Sequence, residues 1–432
     1  MSCPYTSGPD WLRAVGVAVT PNPGVVIDGL RPEHLLLPES AAEVADLLRQ
    51  ASAGAAPLIP VGGGTRLALG EPPPAGVELL LSLERLDQVV EYDADNLTLT
   101  VGAGVKLAEI ERVTRPRKLF LALDVPRPET ATAGGLVATN ASGPRRARYG
   151  APRDLVLGMQ VALTSGELIR AGGKTVKNVA GYDMCKLFTG ALGTLGVIVA
   201  VTFRLRPRPE LSETLIISCE TVAAAGELAA RLLSSAFAPA AVELAQRSAL
   251  ARAELEEAPR EEWSLVLALE GEVEAVARQR REIFALAPGA LTVPEETARG
   301  LWTALAEICV SDDEDTVLRA VVPLARASGL AGEAAAAARQ TGIAASCLAH
   351  LGDGTVYLRL RGGEGLISLG RQMRERVAHL GGHLVIEAAP AQVKRDLGVW
   401  GAEPAALALM KRLKEKFDPA GILNPGRFVG GI

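Results

Sequence analysis

The sequence predicts an α+β fold built from two successive units and a short terminal segment, and three observations carry that prediction. A chain of 432 residues, 48% of them hydrophobic, can bury more than one core at roughly 100–200 residues per domain. Up to Pro209, short apolar strands alternate with glycine-rich turns and hairpin connections, and no regular strand–helix–strand series develops. That order favours α+β over a doubly wound sheet. Past Pro209 the composition shifts to strands alternating with alanine-rich runs of helical periodicity. The expected units are residues 1–209, 210–402 and 403–432.

Charge and cysteine usage exclude several functions. The balance of 45 Lys+Arg against 50 Asp+Glu gives a net charge of -5, so nothing global draws the chain to nucleic acid or an anionic membrane. Five cysteines, Cys3, Cys185, Cys219, Cys309 and Cys347, are scattered without a CxxC or other metal-ligand spacing. They fit a reduced, cytoplasmic setting and a chain with no iron–sulfur cluster of its own. No apolar run approaches the ~20 residues of a spanning helix, and the first residues lack a basic stretch followed by an apolar one. The expectation is no membrane span, with membrane association only through partners.

In chain order, residues 25–27 and 34–37 read as strands, and Ser40-Ala-Ala-Glu43 opens a helix as a capping box that ends near Gly54. A strand at 57–61 then runs into Gly62-Gly63-Gly64-Thr65. Three consecutive glycines permit positive φ and leave several amide N–H groups free to converge on one anion, with the Thr65 hydroxyl as a further donor. A phosphate or pyrophosphate suits such a loop; a flexible turn is the alternative. Strands at 79–83 and 97–101 read as neighbours. Gly102-Ala-Gly104 before a helix suggests a dinucleotide fold, but Leu107 stands where a third glycine belongs, and a tight turn explains these glycines.

Residues 130–209 are the densest in small residues. Paired glycines, hydroxyls and an Asn stand between short apolar runs, which brings backbone close to a ligand or to other backbone. Residues 154–163 and 167–171 flank Thr164-Ser165-Gly166 as a hairpin, 183–189 is a short helix capped by Asp183, and 197–205 is a strand.

Taken together, PVGGGT, TAGGLVATNASG, GGKTVKNVAGYD, GTLGVI and FDPAGILNPGRF resemble the motifs of FAD-linked oxidoreductases of the vanillyl-alcohol oxidase / p-cresol methylhydroxylase (PCMH) type. GPRRARYG, KNVAGYD and DPAGILNPGR are most similar to FAD-binding subunits of multi-subunit glycolate oxidases. The resemblance implies a PCMH-type FAD-binding domain over 1–209, a ferredoxin-like antiparallel-sheet cap with helices on one face over 210–402, and a C-terminal segment that returns to the first domain. It implies FAD, with Gly62, Gly63, Gly64 and Thr65 around the pyrophosphate. Thr132, Gly134, Gly135, Asn140, Ser142 and Gly143 would line a second track toward the isoalloxazine, Gly196, Val197 and Ile198 would meet the adenine end, and Asn424 would reach the flavin or its loop. Each of these small residues has a turn or close-packing role as its alternative. In relatives whose flavin is linked to a His, that His ends the first glycine loop; Thr65 stands there, so the FAD is expected to be non-covalent.

The same resemblance implies oxidation of a 2-hydroxyacid, glycolate or D-lactate, to the 2-oxoacid by hydride transfer to flavin. Electrons would pass to an iron–sulfur subunit, beside a second FAD subunit of the complex. A stand-alone dehydrogenase and a non-catalytic electron-relay or assembly subunit are the rival readings. His350-Leu-Gly-Asp-Gly-Thr-Val-Tyr357 is similar to a segment in which two histidines and a later Glu hold a divalent metal. Tyr357 replaces the second His, and a phenol is a poor ligand at neutral pH. No metal is therefore expected, His350 reads as a hairpin-flanking residue and Asp353-Gly354 as the turn. His350, Tyr357, His383 and Glu387 are the catalytic candidates, the last two read as sharing one strand face.

Other charges receive plainer expectations. Arg204, Arg206 and Arg208 read as solvated edge charges and residues 312–315 as a solvated acidic loop. Arg145, Arg146 and Arg148 face an anion or a partner, or clamp a loop. Lys177, Tyr182 and Asp183 fall near the flavin edge, and residues 403–417 form an amphipathic helix before the Asn424-Pro-Gly-Arg turn.

Overall fold

A computed structural model describes residues 11, 16–174, 182–235, 237–253, 255, 259–311 and 314–432. Strands β1 (Ala18–Pro21), β2 (His34–Leu37), β3 (Leu58–Val61) and β4 (Leu79–Ser82) form a sheet in the order β1-β2-β4-β3. Helix α1 (Ala41–Ala53) packs its Val44, Leu47, Leu48 and Ala51 face into that sheet's core. Its Ser40 Oγ accepts from the Glu43 amide at 3.2 Å, while the Glu43 carboxylate takes the amide of Glu39 rather than that of Ser40. Residues 25–27 do not form a strand; a single bridge joins Ile27 to Leu30.

A second, five-stranded antiparallel sheet follows the order β5-β6-β10-β8-β9, from β5 (Val89–Asp93), β6 (Thr98–Gly102), β8 (Val156–Ala162), β9 (Leu168–Gly172) and β10 (Val197–Arg204). The expected pairing of 79–83 with 97–101 is corrected here. β4 belongs to the first sheet and β6 to the second, because Val89–Asp93, read as connection, is the strand that takes β6's edge. The hairpin at Thr164–Gly166 forms, but its first strand starts at Val156, after a helical turn at Pro152–Leu155. A two-residue ribbon pairs β7 (Leu119–Phe120) with β11 (Arg206–Pro207). It holds Arg208 half-buried against Glu111, the Leu119 carbonyl and the Phe120 ring, so Arg208 is not a solvated edge charge. Helices α2 (Leu107–Thr114) and α3 (Ala133–Thr139) complete this unit.

The third sheet has eight strands in the order β15-β12-β14-β13-β17-β18-β16-β19. They are β12 (Leu211–Cys219), β13 (Ala241–Gln246), β14 (Trp263–Gly271), β15 (Leu291–Val293), β16 (Asp315–Val321), β17 (Ala344–His350), β18 (Thr355–Arg361) and β19 (His383–Ala388). Alternation puts Leu215, Leu267, Leu318 and Leu358 on one face, beneath helices α4 (Val222–Ser234), α5 (Val273–Leu286), α7 (Leu324–Thr341) and α8 (Leu366–His379). Ile216, Val266, Val317 and Tyr357 point the other way. Part of that second face is covered by α6 (Glu295–Ala306), whose Trp302 donates to Thr214 Oγ1 at 2.9 Å. Helices therefore lie on both faces, not one, and the second face is also met by Arg66 and by Arg145 and Tyr149 of the first unit. Asp315 is also not a solvated acidic residue. It is 1% exposed and pairs with Arg359 and Arg361; residues 312–313 lie outside the described residues.

After the third sheet come α9 (Ala391–Leu397) and α10 (Leu407–Phe417). The chain then returns to the first sheet, where Leu423 bridges to Leu58 in parallel and the Asn424 amide donates to the Leu58 carbonyl. Phe417 packs edge-on against Phe188 at 5.6 Å. Among the described residues no helix is long and apolar enough to cross a membrane.

Candidate functional site

β3 delivers the glycine loop to the mouth of a cleft whose empty space, part of it open to solvent, is about 740 Å³. Gly64 has φ +72, and a Cβ on Gly62 or Gly63 would lie 2.2 Å from Thr132 Oγ1 or 1.6 Å from the Thr130 carbonyl oxygen. The loop thus touches the 130–132 segment backbone to backbone, which only glycine allows. Among the described residues, no backbone carbonyl accepts from the amides of residues 62–66. Gly62, Gly63, Gly64, Thr65, Thr132, Gly135 and Asn424 all line this cleft.

The other residues grouped with it by sequence do not line it. Gly134 donates its amide to the Ala103 carbonyl and would place a Cβ 2.7 Å from that of Ala103, so it seats α3 on the turn after β6. Asn140 ends α3 at φ +49 and accepts from the Arg153 amide. Ser142 is half-buried beside Gly143, where a Cβ would meet the Asp124 carbonyl oxygen at 2.3 Å. Gly196 abuts Val161, while Val197 and Ile198 are core residues of β10.

The sequence reading missed Arg66, Leu192 and Arg427, which also line the cleft. Arg66 directly follows the glycine loop and Arg427 closes the NPGR turn, so their positions carried a signal. Lys394, behind the loop, carried none.

Arg66 connects the cleft to the third sheet. Its Nη1 donates to Glu387 Oε2 at 2.9 Å, and Arg319 takes the other carboxylate oxygen. Pairing shifts register between Val317–Ala388 and Leu318–Ile386, leaving Glu387 as an extra residue on β19. Such a bulge re-aims a side chain. Burial alone would raise the Glu387 pKa, but the two guanidiniums outweigh it and hold the group below the usual carboxylate range. Arg319 pairs directly with Tyr357 across β16 and β18, and the Tyr357 ring packs edge-on against His350 at 5.3 Å. Burial raises the Tyr357 pKa. His350 Nδ1 is hydrogen-bonded to Glu243; burial opposes its protonation, but the adjacent carboxylate wins and raises its pKa.

Three of the four catalytic candidates therefore fall in one polar row. His383 does not join it: it is exposed at the start of β19, while Glu387 is committed to two arginines. Among the described residues no three His, Cys, Asp or Glu side chains are placed to hold a metal ion. Arg145 proves to be a clamp, with Nη1 2.7 Å from Asp124 and Nε 2.7 Å from Glu270, whose other oxygen accepts from Tyr149. Arg146 faces Asp353 and Arg148 bonds the Ala238 carbonyl. Tyr182 is 95% exposed, and Lys177 lies outside the described residues.

The cleft fits a diphosphate-bearing flavin cofactor. Its loop offers unpaired amides on glycines that hold the backbone tight against residues 130–132, and Asn424 Oδ1 and Arg427 Nε are buried at its wall without a partner among the described residues. Residues 32–172 match the family model of the FAD binding domain, and residues 208–428 that of the FAD linked oxidases, C-terminal domain. The chain belongs to the FAD-linked oxidases; it is an FAD-dependent oxidoreductase with a PCMH-type fold.

Among its relatives is the glycolate oxidase subunit GlcD of Bacillus subtilis, 29% identical over 92% of this chain and 88% of that protein. A D-lactate dehydrogenase of Archaeoglobus fulgidus is 31% identical over 91% and 90%. The crystal structure of p-cresol methylhydroxylase with substrate bound superposes with a TM-score of 0.68 over 92% of this chain and 88% of that one, at 16% identity.

Proposed function

We propose that this chain is the FAD-binding subunit of a glycolate-oxidase-type complex that oxidises a 2-hydroxyacid, glycolate or D-lactate, to the 2-oxoacid. The observation that carries this reading is the convergence of Arg66 and Arg319 on the single carboxylate of Glu387, beside the cleft. Two cations share one anion, so a substrate carboxylate entering there finds a partly uncompensated positive charge and planar N–H donors. The resemblance to GlcD and to the D-lactate dehydrogenase supports the same substrate class.

Bound FAD supplies a two-electron acceptor. The chain's own residues hold and orient: residues 62–66 offer amides to the diphosphate, Arg66 and Arg319 orient the substrate carboxylate, and Glu387 fixes both guanidiniums. A Thr rather than an imidazole at residue 65 supports a non-covalent cofactor. Electrons would leave to an iron–sulfur subunit, with a second FAD subunit in the complex. Residues 1–209 and 403–432 would form the cofactor domain and 210–402 the cap.

The test is anaerobic mixing of the purified protein, alone and with co-expressed partner subunits, with glycolate and with D-lactate. Flavin bleaching by either acid is expected. Full flavin occupancy with no bleaching under every combination would sink the catalytic role. That outcome would favour an electron-relay or assembly subunit, a reading that Tyr357 in place of a second histidine already favours. Rapid turnover by the isolated chain with an artificial acceptor would instead establish a stand-alone dehydrogenase.

A further inference from the structure

We infer that Lys394 and Arg427 are positioning residues of the cofactor loop, which makes the FAD site depend on parts of the chain far from its motifs. The glycine loop continues through Leu67, Ala68, Leu69 and Gly70, and the carbonyls of all four accept from a buried cation. Lys394 Nζ donates to Ala68 O at 2.5 Å and Gly70 O at 3.2 Å, and Arg427 Nη2 donates to Leu67 O at 2.5 Å and Leu69 O at 2.6 Å. Lys394 is 0% exposed and Arg427 2%. Asp28 Oδ1, 2.5 Å from Lys394, is the ion-pair partner, and Glu71 adds negative charge nearby.

Four carbonyls held by the cations fix the peptides that follow residues 67–70, and so anchor the C-terminal end of the loop whose amides at residues 62–66 line the cleft. An anion cradle needs amide dipoles fixed before the ligand arrives, because a loop that must order on binding loses affinity. Residues 62–70 belong to no strand or helix that could fix them. The two cations supply that order from separate elements: Lys394 on α9, and Arg427 on the terminal turn, where its own carbonyl accepts from the Glu71 amide and Trp400 Nε1. The Val399 amide, donating to Glu71 Oε1 at 2.6 Å, locks the same corner.

The experiment is titration of FAD into apo-protein by flavin fluorescence, alongside the apo-protein's Tm. The main variant is the double substitution Lys394→Met with Asp28→Asn, which removes the cation without stranding a buried acid; Arg427→Lys keeps the charge but loses the forked donor. Each is expected to weaken FAD binding by about 10-fold or more, the worth of one charge-assisted hydrogen bond. The apo-protein's Tm should stay within about 4 °C. FAD affinity within about twofold of the parent's in a folded variant overturns the inference, as does a lowered Tm with unchanged affinity. Should the double variant fail to fold, Lys394→Gln with Asp28→Asn, which keeps a neutral donor, decides by the same criteria, since Lys394, unlike Arg427, does not line the cleft.

Discussion

Arg66 and Glu387 stand 321 positions apart in sequence, yet the Arg66 guanidinium donates to the Glu387 carboxylate at 2.9 Å. The residue that leaves the glycine loop is thereby bonded to the last strand of the third sheet, at its bulge. Cofactor cleft and third sheet are joined through this pair and through Arg319 on the same carboxylate.

Glu387→Gln removes the charge that balances two largely buried arginines. Breaking a buried ion pair from one side typically costs about 3–5 kcal/mol. Urea denaturation should show a loss in that range, and affinity for carboxylate ligands should change with it. A loss below about 1 kcal/mol, the range of an exposed pair, would show that Glu387 is solvated in the folded protein.

Asp315 makes stability depend on pH in acid. Burial would raise its pKa, but Arg361 and Arg359 prevail and lower it from its ordinary value of 3.8. A depressed folded pKa means the unfolded chain binds the proton first, so the contribution is complete above 3.8 and lost as the pH falls through the lower folded value. Asp315→Asn should cost about 3 kcal/mol at neutral pH. The gap between variant and parent should close in strong acid; a gap independent of pH would assign the loss to packing.

Gly63→Ala and Gly135→Ala separate fold from cleft. At Gly63 the added carbon would lie 1.6 Å from a backbone oxygen, which cannot yield, so the variant should purify without flavin colour or not fold. At Gly135 the nearest atom is Thr132 Oγ1 at 3.2 Å. That variant should keep its Tm within a few degrees and show weaker FAD binding, because Gly135 lines the cleft. A Gly63→Ala protein with normal flavin content would contradict the placement of the loop.

Asn424 holds φ +45 and donates Nδ2 to the Leu192 carbonyl at 2.7 Å. Both Asn424→Ala and Asn424→Gly lose that bond, but alanine also strains the left-handed backbone. The alanine variant should be less stable than the glycine one by about 1 kcal/mol, measured by thermal denaturation. Equal stabilities would show that the turn relaxes.

Local chemistry was legible where a residue's role depends on its immediate neighbours. Ser40 and Asp183 could be read as helix caps, Thr164–Gly166 and Asp353-Gly354 as hairpin turns, and Gly62–Thr65 as a loop of close approach, since side-chain size and φ preference act over a few residues. Pairing partners were less legible. Residues 79–83 and 97–101 look alike as strands, and only the intervening β5 decides that they enter different sheets. Gly134 and Gly135 are adjacent and chemically identical, yet one seats a helix on Ala103 and the other faces the cleft. That difference follows from the orientation of α3, which no local pattern encodes.

By itself, then, the sequence determined the α+β class, the glycine-rich cofactor loop and the FAD-linked family, because these are carried by short segments with fixed spacing. The tertiary structure decided which charges are used. Asp315 beneath Arg359 and Lys394 on the loop carbonyls look like ordinary surface residues in the sequence, and nothing local pairs Glu387, a catalytic candidate, with two arginines or Arg427 with the loop. A charge acquires its energy from burial and from partners hundreds of residues away, and only the folded topology supplies both.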